Sequence, residues 1–327
     1  MVAPMPDLRA VHRLATAYFP RGAAPQIERA AGGGSTFVYR IMRGDECFYL
    51  RVLPEIGDSF APEARAHALL RQMGVSVPDV LAYEHRHAEL GLSVMLTTEI
   101  AGEPLSRSMG EIERAAILFE SGRELARINS IPVSGFGWIR RDSPAVTALS
   151  AELPTNSDFL LGELAADLAL LSSRGLAQVE RVAIEAAAAR CTTLLDTSQG
   201  WLAHGDFDPT HIYGQDGRYT GIIDLGEMRG ADRAYDLGHF ALRAWEANRS
   251  SDLGALLAGY ATVSPLSRDA GQRIALIALL IGVRASARRL RKRDALMLPV
   301  DVLRGVQRAL AQFRAPDEAT RDSDSSH

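Results

Sequence analysis

The dominant spacing of apolar residues changes near Gly102, and that change constrains the fold more than any other feature. Before it, short apolar stretches at residues 37–42, 47–53, 80–83 and 92–99 are separated by turn signals such as Arg43-Gly44-Asp45, the pattern of strands in one antiparallel sheet. Between the second and third of them lies segment 62–70, whose alanines and leucines favour helix and whose Pro62 suits a first turn. A short amphipathic helix carrying Val11, Leu14 and Phe19 opens the chain after Pro6-Asp7, and a Gly/Ala/Pro loop ends it. After Gly102, apolar residues recur at helical spacing over 111–128, 158–171, 179–195, 233–247, 253–260, 268–293 and 300–313. Residues 1–100 therefore predict a small sheet-rich lobe and residues 101–314 a larger, mostly helical one. Residues 315–327, polar and nearly without apolar side chains, predict a disordered tail.

Composition narrows the function classes. With 327 residues, 47% of them apolar, the chain can bury a sizeable core. A net charge of −4 and a pI of about 6.1 leave no electrostatic footprint for nucleic acid or an anionic membrane, so neither is expected as a partner. The longest purely apolar run, 274–283, is half of what a bilayer span requires, and the N-terminus lacks a signal pattern, so a cytoplasmic protein is expected. Cys47 and Cys191 fit neither a disulfide framework nor a metal site and read as buried small hydrophobes. Lys292 is the only lysine among 36 basic residues, so roles that usually fall to lysine fall here to arginine.

The helical half is interrupted between Trp201 and Asp224, where two apolar runs flank Gly214-Gln215-Asp216-Gly217, a hairpin signal. Just before the turn stands Leu202-Ala203-His204-Gly205-Asp206-Phe207-Asp208-Pro209-Thr210-His211, and just after it Ile222-Ile223-Asp224-Leu225-Gly226-Glu227. With Gln215 and Asp216 as central turn residues, position 224 falls opposite about position 207, so Asp206, Asp208, His211 and Asp224 converge. Clustered carboxylates repel unless a cation neutralises them. Mg²⁺ is normally held by one or two carboxylates plus substrate phosphates and water, which leaves another carboxylate to orient a hydroxyl nucleophile. That is the arrangement of phosphoryl transfer.

On these residues the sequence resembles the aminoglycoside phosphotransferase and choline kinase superfamily, small-molecule relatives of the protein kinases. The resemblance implies an α+β, protein-kinase-like bilobal fold, with a small antiparallel sheet in the N-terminal lobe and a larger helical C-terminal lobe. His204-Gly205-Asp206 resembles the catalytic-loop H-x-D, which implies that Asp206 accepts or orients the acceptor's hydroxyl proton. Asp224-Leu225-Gly226 resembles the metal-binding D-x-G. The family's metal-binding Asn is replaced by His211, as in aminoglycoside 2''-phosphotransferases, which implies Mg²⁺ held by His211 and Asp224. Gly32-Gly33-Gly34-Ser35-Thr36 resembles the short nucleotide loop, so that Gly33, Gly34, Ser35 and Thr36 would meet the phosphates. Arg51 takes the place of the phosphate-binding Lys, with Glu63 as its helix partner. Residues 94–99 and Ile100-Ala101-Gly102-Glu103 resemble the hinge that meets the nucleobase, and Gly230-Ala231-Asp232-Arg233-Ala234-Tyr235-Asp236-Leu237 resembles the segment after the D-x-G, with Asp232 as the N-cap of the next helix.

The implied activity is transfer of the γ-phosphate of ATP or GTP to a small-molecule hydroxyl, with an aminoglycoside or related antibiotic as the first acceptor class and a metabolic alcohol as the second. Ser134-Gly135-Phe136-Gly137-Trp138 is similar to a segment of hygromycin-type phosphotransferases, whereas the helices after Phe240 lean basic, against a cationic ligand. A non-catalytic nucleotide-binding protein is the competing class, opposed by the intact Asp206 and Asp224. Several residues carry ordinary structural readings beside these. His204 reads as a brace for the loop. Glu227 and Asp208 are open between a second metal or acceptor contact and exposure to water, and the run Arg284, Arg288, Arg289, Arg291, Lys292, Arg293 reads as a solvated helix face.

Overall fold

The computed structural model describes residues 3–22, 24–30, 36–105, 109–195, 197–293 and 300–314. In the first third, α1 (Leu8–Tyr18) precedes β1 (Gln26–Arg29), β2 (Phe37–Arg43) and β3 (Glu46–Val52), followed by α2 (Ala61–Gln72), β4 (Val80–Glu84) and β5 (Val94–Thr98). The strands form one antiparallel sheet in the order β1-β2-β3-β5-β4. Asp7 caps α1 by accepting the Ala10 N–H at 2.7 Å, and Val11, Leu14 and Ala15 pack against Tyr39, Ile41, Phe48, Leu50 and Val52. Alternation along β3 then sends Tyr49 and Arg51 to the opposite face, away from α1. Strand β1 departs from the expected loop. Its sequence Gln-Ile-Glu-Arg has one apolar residue and lies at the sheet edge, so no alternation marks it.

The remainder is helical, with two small sheets. The elements are β6 (Glu103–Pro104), α3 (Glu111–Ile128), β7 (Pro132–Val133), β8 (Phe136–Ile139), β9 (Ala151–Leu153), α4 (Asn156–Leu161), α5 (Leu164–Ser172), α6 (Gln178–Ala188), α7 (Cys191–Leu194), β10 (Gly200–Ala203), β11 (Ile212–Gln215), β12 (Arg218–Ile222), β13 (Arg229–Ala231), α8 (Tyr235–Glu246), α9 (Ser250–Ala261), α10 (Ala270–Arg293) and α11 (Val300–Arg314). One core joins Leu125 and Ile128 of α3, Phe240 of α8, Leu256 of α9 and the buried run from Ile274 to Leu280 of α10. Among the described residues α10 is the one helix long and apolar enough to cross a membrane, and its apolar stretch is spent on this core. Two expected helices are each divided: 158–171 at Gly162 and Glu163, and 179–195 at Ala189 and Arg190. The sheet-then-helix division expected from the period change, and the bilobal α+β fold that the resemblance implies, are what is present, while the expected tail at 315–327 lies outside the described residues.

The hairpin needs two corrections. Strand β10 pairs with β7 and β13 in a five-stranded sheet, so the run at Trp201 is not an arm of it; the arms are β11 and β12. Gln215 pairs with Arg218, which makes Asp216 and Gly217 the central residues, with φ of 50° and 72° as a type I′ turn requires. A register shift at Tyr213/Gly214 follows, and the Ile223 N–H donates to the His211 carbonyl at 3.0 Å. Asp224 therefore lies near 211 across the ladder, not 207.

Candidate active site

Strand β10 ends at Ala203, and the segment from His204 to His211 forms an irregular loop held by its own polar groups. His204 is fully buried: its Nε2 donates to the Ile223 carbonyl at 2.9 Å, and its Nδ1 accepts the Asp206 N–H at 3.3 Å. Burial, reinforced by the neighbouring His211, holds its pKa below the ordinary histidine value, so the ring is a neutral brace between the two aspartate-bearing segments. Gly205 has φ of +88°, and a Cβ on it would stand 1.7 Å from the Glu227 carbonyl oxygen. Only glycine fits there.

Below the loop, Asp236 in the first turn of α8 is completely buried. Its Oδ2 accepts the His204 N–H at 2.8 Å and the Asn129 amide at 2.9 Å, and its Oδ1 accepts the Gly205 N–H at 2.9 Å. His239, one turn further along α8, donates from Nδ1 to the Phe207 carbonyl at 3.1 Å and places Nε2 3.3 Å from Asp206 Oδ1. Asp232 was expected to cap α8. It instead lies two residues before the cap position, accepting the Ala234 N–H at 2.8 Å and pairing with Arg273 of α10.

Asp206 is left with its carboxylate 38% exposed and facing open space. His211 donates from Nδ1 to the Asp206 carbonyl at 2.7 Å, which leaves Nε2 for the cleft. Asp208 turns elsewhere: its Oδ1 accepts the Thr210 N–H at 2.7 Å and hydroxyl at 2.5 Å. Burial pushes its pKa up, but the two hydrogen bonds from Thr210 outweigh that and hold it below the usual carboxylate range. The ligand atoms of Asp206, Asp208 and His211 lie within 4.8 Å of one another. Both His211 Nδ1 and Asp208 Oδ1 are already hydrogen-bonded, so this cluster is a tied loop and not an open cation site.

Asp224 adopts a left-handed backbone, φ 64° and ψ 70°, and its Oδ1 accepts the Gly226 N–H at 3.1 Å. Arg51 Nη2 stands 3.4 Å from the same oxygen. Burial raises the Asp224 pKa, but the Arg51 guanidinium foremost, with the Gly226 N–H, more than reverses it, and the carboxylate stays ionised. Arg51 also pairs with Glu63, whose carboxylate is buried on α2. Glu227, following the D-x-G, forms an ion pair with Arg229 at 2.9 Å, and the Arg229 guanidinium lies 3.6 Å over the Trp138 ring.

These groups border two cavities that share Asp224. A space of about 620 Å³ is bounded on the sheet side by Thr36, Val38, Tyr49 and Arg51, with Glu99 and Ile100 at its back and His211 and Asp224 across from them. A second space, of about 360 Å³, opens between Gly205, Asp206, Asp224 and Glu227 on one side and α8 and α10 on the other. Of the residues singled out from the sequence, Thr36, Arg51, His211 and Asp224 thus face the first cavity and Asp206, Asp224 and Glu227 the second. Glu63 stands behind Arg51, Asp208 lines a third cavity, and Gly33, Gly34 and Ser35 lie outside the described residues.

Three contributors were missed by sequence reasoning. Asp236 stands in the segment that resembles the one after the D-x-G, but nothing there marks it as the acceptor for the loop, and His239, one turn along α8, carries no motif. Arg141, in the segment after β8, donates to the Gly226 carbonyl at 2.6 Å and stands 3.8 Å from Glu63, so it links α2 to the D-x-G turn.

A search of the curated proteins gave no match. Among solved structures, the chain is similar to a thermostable mutant of the aminoglycoside phosphotransferase APH(4)-Ia in complex with ADP and hygromycin B, at 14% identity and a TM-score of 0.62, covering 93% of this chain and 96% of that one. It is similar to the macrolide 2'-phosphotransferase of Brachybacterium faecium at 17% identity and TM-score 0.58, over 95% and 99% of the two chains. A putative fructosamine-3-kinase from Thermobifida fusca matches at 19% identity and TM-score 0.62, over 94% and 100%. At such identities these likenesses establish the fold alone. The model of the phosphotransferase enzyme family matches residues 26–275, most of the chain and every site segment described above, and the chain belongs to that family.

Proposed function

We propose that this protein transfers the γ-phosphate of ATP or GTP to a hydroxyl of a small molecule, with Asp206 aiming the hydroxyl and Mg²⁺ held by Asp224 and His211. One observation carries the reading: Asp224 borders both cavities, so a nucleotide lying along Arg51 and Thr36 ends beside the space that Asp206 faces. The residues fit the cation. Asp224 offers a half-exposed, ionised carboxylate, His211 keeps Nε2 for the cleft, and substrate phosphates and water complete a shell of mostly oxygen ligands. When bound, Mg²⁺ neutralises charge on the phosphate oxygens.

The protein's own part is alignment. Arg51, fixed by Glu63 behind it, presents its guanidinium towards the nucleotide cavity, where it suits bidentate contact with phosphate oxygens. Glu99 and Ile100 border the far end, where the base would lie. Asp206, its backbone held by His204 and its carboxylate backed by His239, accepts the acceptor's hydroxyl proton as the oxygen attacks phosphorus. Nothing covalent forms on the enzyme; the rate comes from position and charge.

The test is phosphate transfer from radiolabelled ATP and GTP, with Mg²⁺, across aminoglycosides, macrolides and small metabolic alcohols, comparing the full chain with Asp206→Ala. Turnover in the variant is expected to fall by about 10²–10⁴ with nucleotide affinity unchanged. Full turnover in Asp206→Ala, or unchanged turnover after chelation of divalent cations, would refute the assignment.

A further inference from the structure

The wall of the Asp206 cavity opposite the catalytic loop is helix α10, and its charge does not suit a polycation. Arg284, Arg288 and Lys292 recur every fourth residue, so they share one face, and all three line the cavity together with Leu280 and Ile281. The row spans about 12 Å of helix. The neighbouring basic residues turn elsewhere: Arg291 pairs with Asp167 at 2.7 Å, and Arg289 lines a different cavity. The run is therefore two populations and not one uniformly solvated face.

Two of the cavity's three carboxylates are already engaged by guanidinium groups: Glu227 is paired with Arg229, and Asp224 faces Arg51, which leaves Asp206 for the acceptor's hydroxyl. Arg243, a further cation on this wall, is held by Glu246 at 3.0 Å. Among the described residues no carboxylate lies within ion-pair distance of Arg284, Arg288 or Lys292; Arg284 lies 5.8 Å from the centre of the Phe159 ring and within electrostatic reach of Asp167, which is itself already paired with Arg291. Three cations with no ion-pair partner of their own, on a concave surface facing the group that aims the hydroxyl, form a receptor for negative charge. An aminoglycoside, with its several ammonium groups, would meet like charge there.

We infer that the acceptor is a hydroxylated small molecule bearing an oxyanion, a carboxylate or a phosphate, received by Arg284, Arg288 and Lys292 while its hydroxyl meets Asp206. This deepens the phosphotransferase reading and rests on it. Occupancy of the anion site, however, can be measured without turnover, because Lys292 is the only lysine in the chain. The rate at which an amine-acetylating reagent modifies Lys292 is followed by mass spectrometry on the full chain, without nucleotide. The probes are gluconate, glucose 6-phosphate, glucose and hygromycin B. Gluconate or glucose 6-phosphate is expected to slow acetylation roughly tenfold when present at about ten times its Kd, and the one that protects identifies carboxylate or phosphate as the anion. Glucose and hygromycin B should leave the rate unchanged, and the Arg284→Ala/Arg288→Ala double variant should lose the protection. Equal acetylation with all four probes overturns the inference, as does hygromycin B protecting best or being phosphorylated with a higher kcat/KM than the anionic probes. Protection by an anion in a chain that binds no Mg-nucleotide and phosphorylates none of the probes would leave the anion site standing and remove the phosphotransferase reading instead.

Discussion

Asp236 accepts the backbone N–H of His204 at 2.8 Å from inside the first turn of α8, so the loop that carries Asp206 is hung from a helix and not from the strand that leads into it. The same carboxylate serves Gly205 and Asn129, and all three donors are buried. Replacing it with alanine strips three donors of their acceptor in a site without access to water. Asp236→Ala is expected to cost about 3–5 kcal/mol of stability, read from denaturant unfolding. Asp236→Asn retains the shape but turns an N–H₂ group towards a donor, and should fold with a smaller loss. A loop displaced by about 1 Å should cost roughly 10² in kcat, with nucleotide binding little changed. Wild-type turnover in Asp236→Asn would show that the loop does not depend on this anchor.

Arg51 and Glu63 separate two roles that one substitution would confound. The Glu63 carboxylate is buried, with Arg51 as its close partner and Arg141 at 3.8 Å. Arg51→Met leaves that charge largely uncompensated and should lower stability by about 3–5 kcal/mol, besides raising the KM for nucleotide at least about tenfold. The double variant Arg51→Met/Glu63→Gln removes the stranded charge, so most of the stability should return while the KM defect persists. If both recover together, Arg51 serves the fold and not the nucleotide. Arg51→Lys should fall between, since an ammonium keeps the charge but loses the fork.

The division of the chain into a sheet lobe and a helical lobe was readable because both signals are periodic: β3 alternates at two residues, and α3 occupies the very span its apolar spacing marks. The placement of Asp206 and Asp224 on one cleft was also readable, although the route was wrong. The hairpin turns one residue later than expected and contains a register shift, and the two carboxylates line one cavity because the His204 ring ties the Asp206 N–H to the Ile223 carbonyl. Strands of two to four residues such as β7 and β13 are too short to show a period. Asp236, His239 and Arg141 act through contacts that join distant parts of the chain, which local pattern does not encode. The basic run on α10 was visible in the sequence, yet only the helix orientation separates Arg284, Arg288 and Lys292 from Arg291.

Gly205 gives a prediction with a steric cause. In the left-handed conformation it holds, any Cβ would sit 1.7 Å from the Glu227 carbonyl oxygen, and the nearest atoms are backbone that cannot swing aside. Gly205→Ala must therefore push the His204 loop and the D-x-G turn apart. Activity is expected to fall by about 10² or more, with a stability loss of roughly 1–3 kcal/mol or greater, while Gly254→Ala, where a Cβ meets nothing within 4 Å, should be close to neutral. Comparable activity in the two variants would mean the loop tolerates displacement and would weaken the geometric account of Asp206.

Acid should destabilise the fold through its buried imidazoles. His67, His204 and His239 are each nearly inaccessible, and burial holds all three pKa values below the ordinary histidine value of 6.5. The sign follows from linkage. Above the unfolded-state pKa neither state is protonated and these residues contribute no pH dependence; below it the unfolded chain takes up protons that the folded chain refuses, so stability declines as pH falls. Thermal melts should give a nearly constant Tm from about pH 8 to pH 7, then a decline as pH drops through about 6.5. His67 lies outside the catalytic loop, donating to the Pro78 carbonyl at 2.9 Å, so His67→Gln isolates one contribution and should make the decline shallower. A Tm that rises between about pH 7 and pH 5.5 would mean that the histidines bind protons in the folded state, against the neutral His204 brace on which the loop geometry depends.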